Sequence, residues 1–237
     1  MNVKIRVFAP SILHAEIKLP ASKSISNRAL VIQALSGGTG PIDNVSDCDD
    51  SRVVQDALRH MPQVIDIKAA GTAMRFMTSF LATVSGEHVI TGTERMRNRP
   101  IAVLVDALRS LGADICYEEK DGFPPLRIRG RELAGGRISL PGNVSSQYIS
   151  SLLMVAPTLR QGLVLELTGE VISRPYIDMT LAIMRQFGAK AQWNGEREIR
   201  VEAVPYSPIP YYIESDWSAA SYWYEMVALS GDDEVEV

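Results

Sequence analysis

The sequence predicts an α/β (α+β) fold of three repeated units, with apolar helices packed inward and mixed sheets facing outward. The main observation is self-similarity: residues 91–113 and 168–189 both run from Thr-Gly through Arg-Pro into an apolar helix that ends in Gly-Ala, at an offset of about 76 residues. Proline in the first turn and glycine after the last turn are typical of helix ends. A predicted strand pair follows each helix: 114–118 with 126–129, and 189–193 with 198–202.

The helices that precede these segments repeat as well. Residues 71–75 and 144–148 each open an apolar helix that leads into a strand ending in Thr-Gly. Residues 22–36 give a third copy of this helix, and residues 216–222 resemble the start of a fourth. Each unit is therefore predicted to run strand, helix, strand, helix and two strands, a βαβαββ-type repeat.

The first unit is shorter than the other two. Only 48 residues separate Ser24 from Thr72, so this unit is predicted to lack a hairpin. Before it, residues 2–8 and 13–19 alternate apolar and polar side chains, which predicts two short strands.

Composition excludes several classes of function. The 237 residues carry a net charge of −4, which argues against a nucleic-acid binder. Three scattered histidines and two cysteines without metal-type spacing predict no metal cluster. Cys116 is predicted to be a packed thiol in a strand. The chain begins without a signal-peptide core and has no run of transmembrane length, so we expect a cytoplasmic protein that does not contact a membrane.

Residues 19–28, Leu-Pro-Ala-Ser-Lys-Ser-Ile-Ser-Asn-Arg, have the composition of an anion pocket. A proline-containing turn leads directly into a helix whose first turns hold Lys23, Ser24 and Arg28. Hydroxyls, unpaired N–H groups and the positive end of the helix dipole can all bind an oxyanion there. A serine-capped helix with two solvated cations fits the same residues. The stretch by itself leaves both interpretations open.

The repeat brings several such helix starts to one face of the fold. Their polar groups are Lys23, Ser24, Arg28, Gly71, Thr72, Arg75, Ser145, Ser146 and Gln147, with Arg99, Ser173 and Arg174 from the second helices. We predict that these groups converge on one polyanionic small molecule. Capping alone explains each start taken singly, whereas recurrence in every unit favours a binding site.

A pair of residues for general acid–base catalysis does not stand out. Asp47, Asp49 and Asp50 form one acidic cluster, but they lie at a predicted helix start, where capping explains them as well as chemistry does. The sequence thus predicts a protein that binds charge and lacks its own machinery for proton transfer.

Five motifs follow one another along the chain. They are Leu-Pro-Ala-Ser-Lys-Ser-Ile-Ser-Asn-Arg, Ala-Gly-Thr-Ala-Met-Arg, Arg-Met-Arg-Asn-Arg-Pro-Ile, Val-Ser-Ser-Gln-Tyr and Ile-Ser-Arg-Pro-Tyr-Ile-Asp. Together they resemble the 5-enolpyruvylshikimate-3-phosphate synthase family, the 3-phosphoshikimate 1-carboxyvinyltransferases of the shikimate pathway of aromatic amino-acid biosynthesis. The resemblance covers essentially the whole chain and implies a monomeric transferase.

The resemblance also implies an enzyme of two globes, each made of three repeats, in which the chain begins in one globe, crosses into the other and returns. Residues 22–213 would then be the complete shikimate-3-phosphate-binding globe, an enolpyruvyl transferase globe. Residues 1–21 and 214–237 would be partial segments of the other globe. We therefore expect a truncated form of a longer enzyme, which binds substrate but is inactive alone.

The reaction implied by the resemblance transfers the enolpyruvyl group of phosphoenolpyruvate to the 5-hydroxyl of shikimate 3-phosphate, by addition and then elimination of phosphate, without a metal or organic cofactor. The residues expected at shikimate 3-phosphate are Lys23, Ser24, Arg28, Ser145, Ser146, Gln147, Ser173 and Tyr176. Those expected at phosphoenolpyruvate are Lys23, Gly71, Thr72, Arg99 and Gln147. Lys23 and Arg99 are expected to act on the reaction electrostatically, and the acid–base carboxylates are expected in the other globe.

Three positions depart from the family pattern. Ala21 replaces the usual glycine of Pro-Gly-Ser-Lys, Ala69 replaces an asparagine, and Phe76 replaces the proline that commonly follows Thr-Ala-Met-Arg. The first and third are expected to reshape the phosphoenolpyruvate side while the charged residues stay intact.

Two other functions remain as alternatives. The related UDP-N-acetylglucosamine enolpyruvyl transferase usually has a Lys-Asn pair, which is absent at Lys23-Ser24, and Cys116 is predicted in a strand rather than in an exposed loop. The second alternative is a non-catalytic repeat module that binds partners. The cluster of hydroxyls and cations at helix starts argues against it.

Overall fold

The computed structural model describes residues 16–38 and 40–230. Its helices are α1 (Lys23–Leu35), α2 (Asp49–His60), α3 (Gly71–Thr83), α4 (Glu94–Arg97), α5 (Ala102–Ser110), α6 (Ser146–Val155), α7 (Arg174–Gln186) and α8 (Trp217–Ser230). Its strands are β1 (Ile42–Asp43), β2 (Val64–Asp66), β3 (Gly86–Thr91), β4 (Asp114–Tyr117), β5 (Leu126–Gly130), β6 (Gly136–Pro141), β7 (Leu163–Thr168), β8 (Ala191–Asn194), β9 (Glu198–Val201) and β10 (Tyr211–Tyr212). None of the helices in these residues is both long and apolar enough to cross a membrane.

The chain divides into two compact units, residues 1–20 with 215–237 and residues 21–214. In the described part of the smaller unit, α8 begins directly after Asp216. The Asp216 carboxylate accepts the backbone N–H of Ser218 at 2.7 Å, which satisfies one of the unpaired donors at the helix start.

Two of the predicted N-terminal features fall at the edge of the described chain. The strand predicted for residues 2–8 lies outside the described residues, as does the beginning of the strand predicted for 13–19. Residues 16–19 are not in a strand. By contrast, the helix predicted to begin near residues 216–222 is present as α8.

Two four-stranded mixed sheets in the larger unit confirm the repeat. One has the order β2-β3-β5-β4 and the other the order β6-β7-β9-β8. In each, the first two strands are parallel and the remaining pairs are antiparallel. Both predicted strand pairs, β4 with β5 and β8 with β9, are therefore present, and equivalent strands occupy equivalent places.

The first unit is reduced to α1, β1 and α2 in the described residues, as the short spacing predicted. Strand β1 pairs in parallel with β10, so that Ile42 lies opposite Tyr211. The side chain of Asn44 donates to the Ile213 carbonyl at 2.7 Å and fastens the same junction. The end of the larger unit thus closes onto its beginning.

The helices of the larger unit pack inward. All residues of α3 from 71 to 82 are buried, and α3 packs against α1 and α6, while α6 packs against α7. Because α3 and α6 have almost no exposed surface, their polar side chains must find partners inside. The hydroxyls of Ser79 and Ser151 are 2.5 Å apart, and Ser151 donates to the Arg75 carbonyl at 2.6 Å.

The prediction of a packed thiol at Cys116 is wrong. Cys116 does lie in a strand, β4, but its side chain is exposed. Strand β4 is at the edge of its sheet, and alternation along the strand directs Ile115 inward and Cys116 outward.

Gly130 provides a test of how tightly β5 packs against the end of α3. A methyl group there would overlap the Val84 carbonyl oxygen and lie 2.5 Å from the Leu81 carbonyl oxygen, and backbone atoms cannot move aside cheaply. Gly130→Ala is therefore expected to lower the free energy of unfolding by about 3 kcal/mol in urea denaturation.

Gly195 is the matched control, because its φ is +82° and a methyl group there meets no atom within 4 Å. Gly195→Ala is expected to cost only the left-handed strain, about 1 kcal/mol. Equal losses in the two variants would contradict the steric explanation.

Candidate functional site

Four helix starts of the larger unit supply the polar groups of the candidate site. Ser22 caps α1, since its hydroxyl accepts the Ile25 N–H at 3.5 Å, and Ser145 caps α6 by accepting the Gln147 N–H at 3.3 Å. The residues before α3 and α7, Ala70 and Ser173, provide no side-chain cap. The first N–H groups of α3 are thus not satisfied by a cap and can meet a ligand. At α7, Pro175 has no N–H and the Tyr176 N–H donates to the Ser173 carbonyl at 3.1 Å.

Arg28 is the most deeply placed cation of the site, with 2% of its surface exposed. Its Nε donates to the Thr180 hydroxyl at 2.7 Å, its Nη2 to the Ser150 hydroxyl at 3.1 Å and its Nη1 to the Ser24 carbonyl at 2.8 Å. The guanidinium therefore joins α1, α6 and α7. The earlier alternative of a solvated cation does not apply to Arg28.

The partners of Arg28 are neutral. Burial lowers the pKa of Arg28 to about 10, and Tyr176 acts in the opposite direction. The guanidinium stays charged at neutral pH, with its face 5.3 Å from the centroid of the Phe76 ring. A guanidinium has five N–H donors, and three of those of Arg28 are used by Thr180, Ser150 and Ser24, so donor capacity is left for an anion.

Lys23 differs from Arg28 because its side chain is half exposed. Its Nζ lies 3.7 Å from a carboxylate oxygen of Asp50 in the first turn of α2. The sequence placed Asp50 at a helix start but gave no sign of this ion pair. Ser24, the next residue, is half-buried and contributes its carbonyl to Arg28.

Gly71 lies against two guanidinium groups. A Cβ built on it would be 2.5 Å from Nη1 of Arg99 and 3.0 Å from Nη1 of Arg75. Burial and the like charge of Arg75 lower the pKa of Arg99, while the negative charge of Asp50 opposes the shift. Gly71 thus contacts Arg99, and the ion pair of Asp50 with Lys23 lies within electrostatic reach of the same guanidinium.

Thr72 and Gln147 extend this part to α6. The Gln147 amide donates to the Thr72 hydroxyl at 3.2 Å. The neighbouring Tyr148 hydroxyl donates to the Pro100 carbonyl at 2.8 Å, which ties the segment that carries Arg99 to the same helix. Gln147 was expected at both ligands, and it lies at the junction of α3 and α6.

The remaining predicted serines lie at the starts of α6 and α7. Ser146 is buried, whereas Ser145 and Ser173 are exposed. The loops that carry them touch, because the Ile172 N–H donates to the Gly142 carbonyl at 3.3 Å. Ser173 has a left-handed φ of +59°, which turns the chain sharply into α7.

Sequence reasoning missed two buried hydroxyl residues of the site, which lie one helical turn beyond the predicted ones. Ser150 and Thr180 bind Arg28 and hydrogen-bond to each other at 2.8 Å. Each lies four positions after a residue that was predicted, Ser146 and Tyr176. One helical turn separates them, so this spacing was the available signal.

The arrangement can hold a polyanion. It offers the cations Lys23, Arg28 and Arg99, several hydroxyls and helix N-termini. Two of the predicted cations pair with carboxylates: Lys23 with Asp50 at 3.7 Å, and Arg174 with Asp178 at 4.0 Å. Across residues 16–38 and 40–230, no group of three or more His, Cys, Asp or Glu side chains is placed to hold a metal ion.

Comparison with known proteins agrees with this chemistry. The protein-family model described as EPSP synthase (3-phosphoshikimate 1-carboxyvinyltransferase) matches residues 7–65 and 61–237. The 3-phosphoshikimate 1-carboxyvinyltransferase of Bacteroides fragilis strain ATCC 25285 is 59% identical over 229 residues, which are 97% of this chain and 56% of that protein. The enzyme of the same name from Photobacterium damsela subsp. piscicida is 38% identical over an alignment of 251 positions, which covers 94% of this chain and 59% of that protein.

A solved structure of EPSP synthase from Acinetobacter baumannii has the same fold. It superposes with a TM-score of 0.77 at 22% identity, over 88% of this chain and 52% of that one. The chain thus spans a little over half the length of the relatives it matches. These matches do not favour a UDP-N-acetylglucosamine enolpyruvyl transferase, and they show that the chain belongs to the EPSP synthase (3-phosphoshikimate 1-carboxyvinyltransferase) family.

Proposed function

We propose that the larger unit binds shikimate 3-phosphate, with phosphoenolpyruvate beside it, as part of an enzyme that transfers the enolpyruvyl group to the 5-hydroxyl of shikimate 3-phosphate. The observation that carries this proposal is the buried guanidinium of Arg28, which is held by neutral partners from three helices. A buried guanidinium without a carboxylate partner keeps its positive charge available for an anionic ligand. Family membership supplies the reaction.

The two substrates occupy neighbouring parts of the site in this proposal. Shikimate 3-phosphate lies against Lys23, Ser24, Arg28, Ser145, Ser146, Gln147, Ser173 and Tyr176. Phosphoenolpyruvate lies against Lys23, Gly71, Thr72, Arg99 and Gln147. The 5-hydroxyl oxygen gives up its proton and bonds to the carbon of phosphoenolpyruvate that carries the phosphate, while the methylene carbon takes up a proton. The methyl group so formed then loses a proton as the carbon–oxygen bond to phosphate breaks, which restores the double bond and releases phosphate. Lys23 and Arg99 stabilise the negative charge of the intermediate between these steps.

We further propose that residues 22–213 form the complete shikimate-3-phosphate-binding globe and that residues 1–21 and 214–237 belong to a second globe. Its support is the resemblance and the span of 56% of a close relative. In this proposal the second globe supplies the acid–base carboxylates, and the 237-residue chain binds substrate without turnover. Product formation by the purified chain, measured by release of inorganic phosphate, would contradict it.

A monomeric state and a cytoplasmic location complete the proposal. Both follow from the resemblance to an enzyme of small-molecule biosynthesis. Sedimentation velocity tests the monomer, and fractionation of the source cells tests the location.

Calorimetric titration of the chain with shikimate 3-phosphate tests the proposed binding, with shikimate as the matched control. We expect heat of binding with the phosphorylated ligand and far weaker binding of shikimate, because the hydroxyls of Ser145 and Ser173 and the nearby helix starts recognise the phosphate. Equal affinity for the two ligands, or no binding by a folded chain, would overturn the proposal.

Arg28→Met separates binding from stability. We expect the affinity for shikimate 3-phosphate to fall by about a hundredfold, because a charge-assisted contact is lost. The free energy of unfolding is expected to change by less than about 1 kcal/mol, because Ser150 and Thr180 remain paired with each other at 2.8 Å and an unneutralised buried charge is removed.

The control for Arg28→Met is Arg131→Met, which removes a surface arginine paired with Asp114 at 2.7 Å and should alter neither quantity. A loss of several kcal/mol in Arg28→Met would assign a structural role to this arginine instead.

Gly71→Ala is expected to affect phosphoenolpyruvate alone. The added methyl group would lie 2.5 Å from Nη1 of Arg99, the end of an exposed side chain that can move aside, and 3.0 Å from Nη1 of the buried Arg75. The main displacement is therefore expected at Arg99. In the chain saturated with shikimate 3-phosphate, we expect the affinity for phosphoenolpyruvate to fall about tenfold. Calorimetric titration of the same variant with both ligands checks this. An equal loss of affinity for shikimate 3-phosphate would contradict separate binding positions for the two substrates.

A further inference from the structure

Arg75 is a buried guanidinium that lies at a helix start but is not assigned to either ligand above. It is 5% exposed, and its Nη1 donates to the Gly71 carbonyl at 2.9 Å, one turn earlier in α3. Its Nε–H is buried and has no hydrogen-bond partner among the described residues. A buried donor without a partner is costly, and a buried charge without a counter-ion is more so. The described contacts of Arg75 do not offset this cost.

Arg75 and Arg99 meet at the start of α3. Their Nη1 atoms lie 3.0 Å and 2.5 Å from the same point, the position of a Cβ on Gly71. Two like charges so close repel each other. Asp50, which also influences Arg99, is paired with Lys23. The two guanidinium groups thus present excess positive charge beside the first N–H groups of the helix.

Arg75 also supports the segment that carries Arg99. Its guanidinium lies over the Tyr148 ring, 5.5 Å from the centroid, and the Tyr148 hydroxyl donates to the Pro100 carbonyl at 2.8 Å. Pro100 directly follows Arg99. Contacts therefore run from Arg75 to the Gly71 backbone on one side and, through Tyr148, to the backbone next to Arg99 on the other.

The contacts of Arg75 repeat those of Arg28 in the preceding unit. Each guanidinium donates to the carbonyl four residues earlier in its own helix, Ser24 for Arg28 and Gly71 for Arg75. Each also lies over an aromatic ring from the first helix of the next unit. The difference is that Nε of Arg28 binds Thr180, whereas Nε of Arg75 is unpaired.

We propose that Arg75 is a positioning residue of the anion site: it holds Arg99 against the start of α3, and the pair is neutralised by one phosphoryl or carboxylate group of the ligand. This inference rests on the proposed function, in which that group belongs to phosphoenolpyruvate. The 3-phosphate of shikimate 3-phosphate offers the same chemistry, and the experiment separates the two sources.

Thermal unfolding of the 237-residue chain in inorganic phosphate, compared with chloride at equal ionic strength, tests the proposal. Arg99→Met defines the part of the phosphate effect that belongs to this site. Arg75→Met is expected to weaken the affinity for phosphate, taken from the Arg99-dependent rise in melting temperature, about tenfold, or about 1.4 kcal/mol. Arg75→Lys is expected to restore most of it, because the charge is kept. A purely structural role would lower the melting temperature and leave the phosphate affinity unchanged.

Arg109→Met is the matched control. Arg109 also lies over a tyrosine ring, that of Tyr117 at 4.9 Å, and donates to a backbone carbonyl, that of Ile115 at 2.7 Å. It lies in a different helix, α5, and has an acidic neighbour in Asp106. Its removal is expected to leave the phosphate response unchanged.

Two results would overturn the proposal: a chain without any Arg99-dependent phosphate response, or a response that Arg75→Met leaves intact. Neither result bears on the binding of shikimate 3-phosphate, which calorimetry measures separately. Titration of Arg75→Met with shikimate 3-phosphate identifies the source of the anion. An unchanged affinity supports phosphoenolpyruvate, and a tenfold loss contradicts that assignment.

Discussion

The larger unit depends on positive charge that is buried without carboxylate partners. Arg28 and Arg75 are 2% and 5% exposed, and their hydrogen bonds go to hydroxyls and backbone carbonyls. A carboxylate beside either of them would offset the cost of burial, but it would also occupy the charge that an anionic ligand requires. Neutral acceptors fix the geometry and leave the charge available. The inward packing of α1, α3, α6 and α7 supplies those acceptors.

The repeat explains how such charges are supported. The ring under Arg28 is Phe76 of α3, and the ring under Arg75 is Tyr148 of α6, so each unit supports the cation of the unit before it. Phe76 stands where the family commonly has proline. The Phe76 ring gives the Arg28 guanidinium a flat surface to stack on and, unlike a carboxylate, does not neutralise its charge. This departure from the family pattern thus has a physical role in this chain.

The sequence predicted the units better than the contacts between them. Proline and glycine at helix ends and alternation in the strands are local signals, and they located α5, α7 and both strand pairs. The two hydroxyl partners of Arg28, Ser150 and Thr180, lie 122 and 152 residues away in sequence, and no local sequence pattern links them to Arg28. The pairing of Lys23 with Asp50 is equally non-local. Cys116 was misjudged because strand alternation alone does not tell which face of an edge strand is covered.

The cations of the site differ in mobility, and this difference matters for its chemistry. Arg28 and Arg75 are held by packing on rings and by short hydrogen bonds, whereas Lys23 is half exposed and tied only to Asp50 at 3.7 Å. Fixed charges stabilise an anion without reorganisation, which is the main source of electrostatic catalysis. An exposed lysine can exchange its carboxylate partner for an incoming anion. In the proposed function, the buried arginines define where negative charge binds, and the more exposed Lys23 can shift toward the anion.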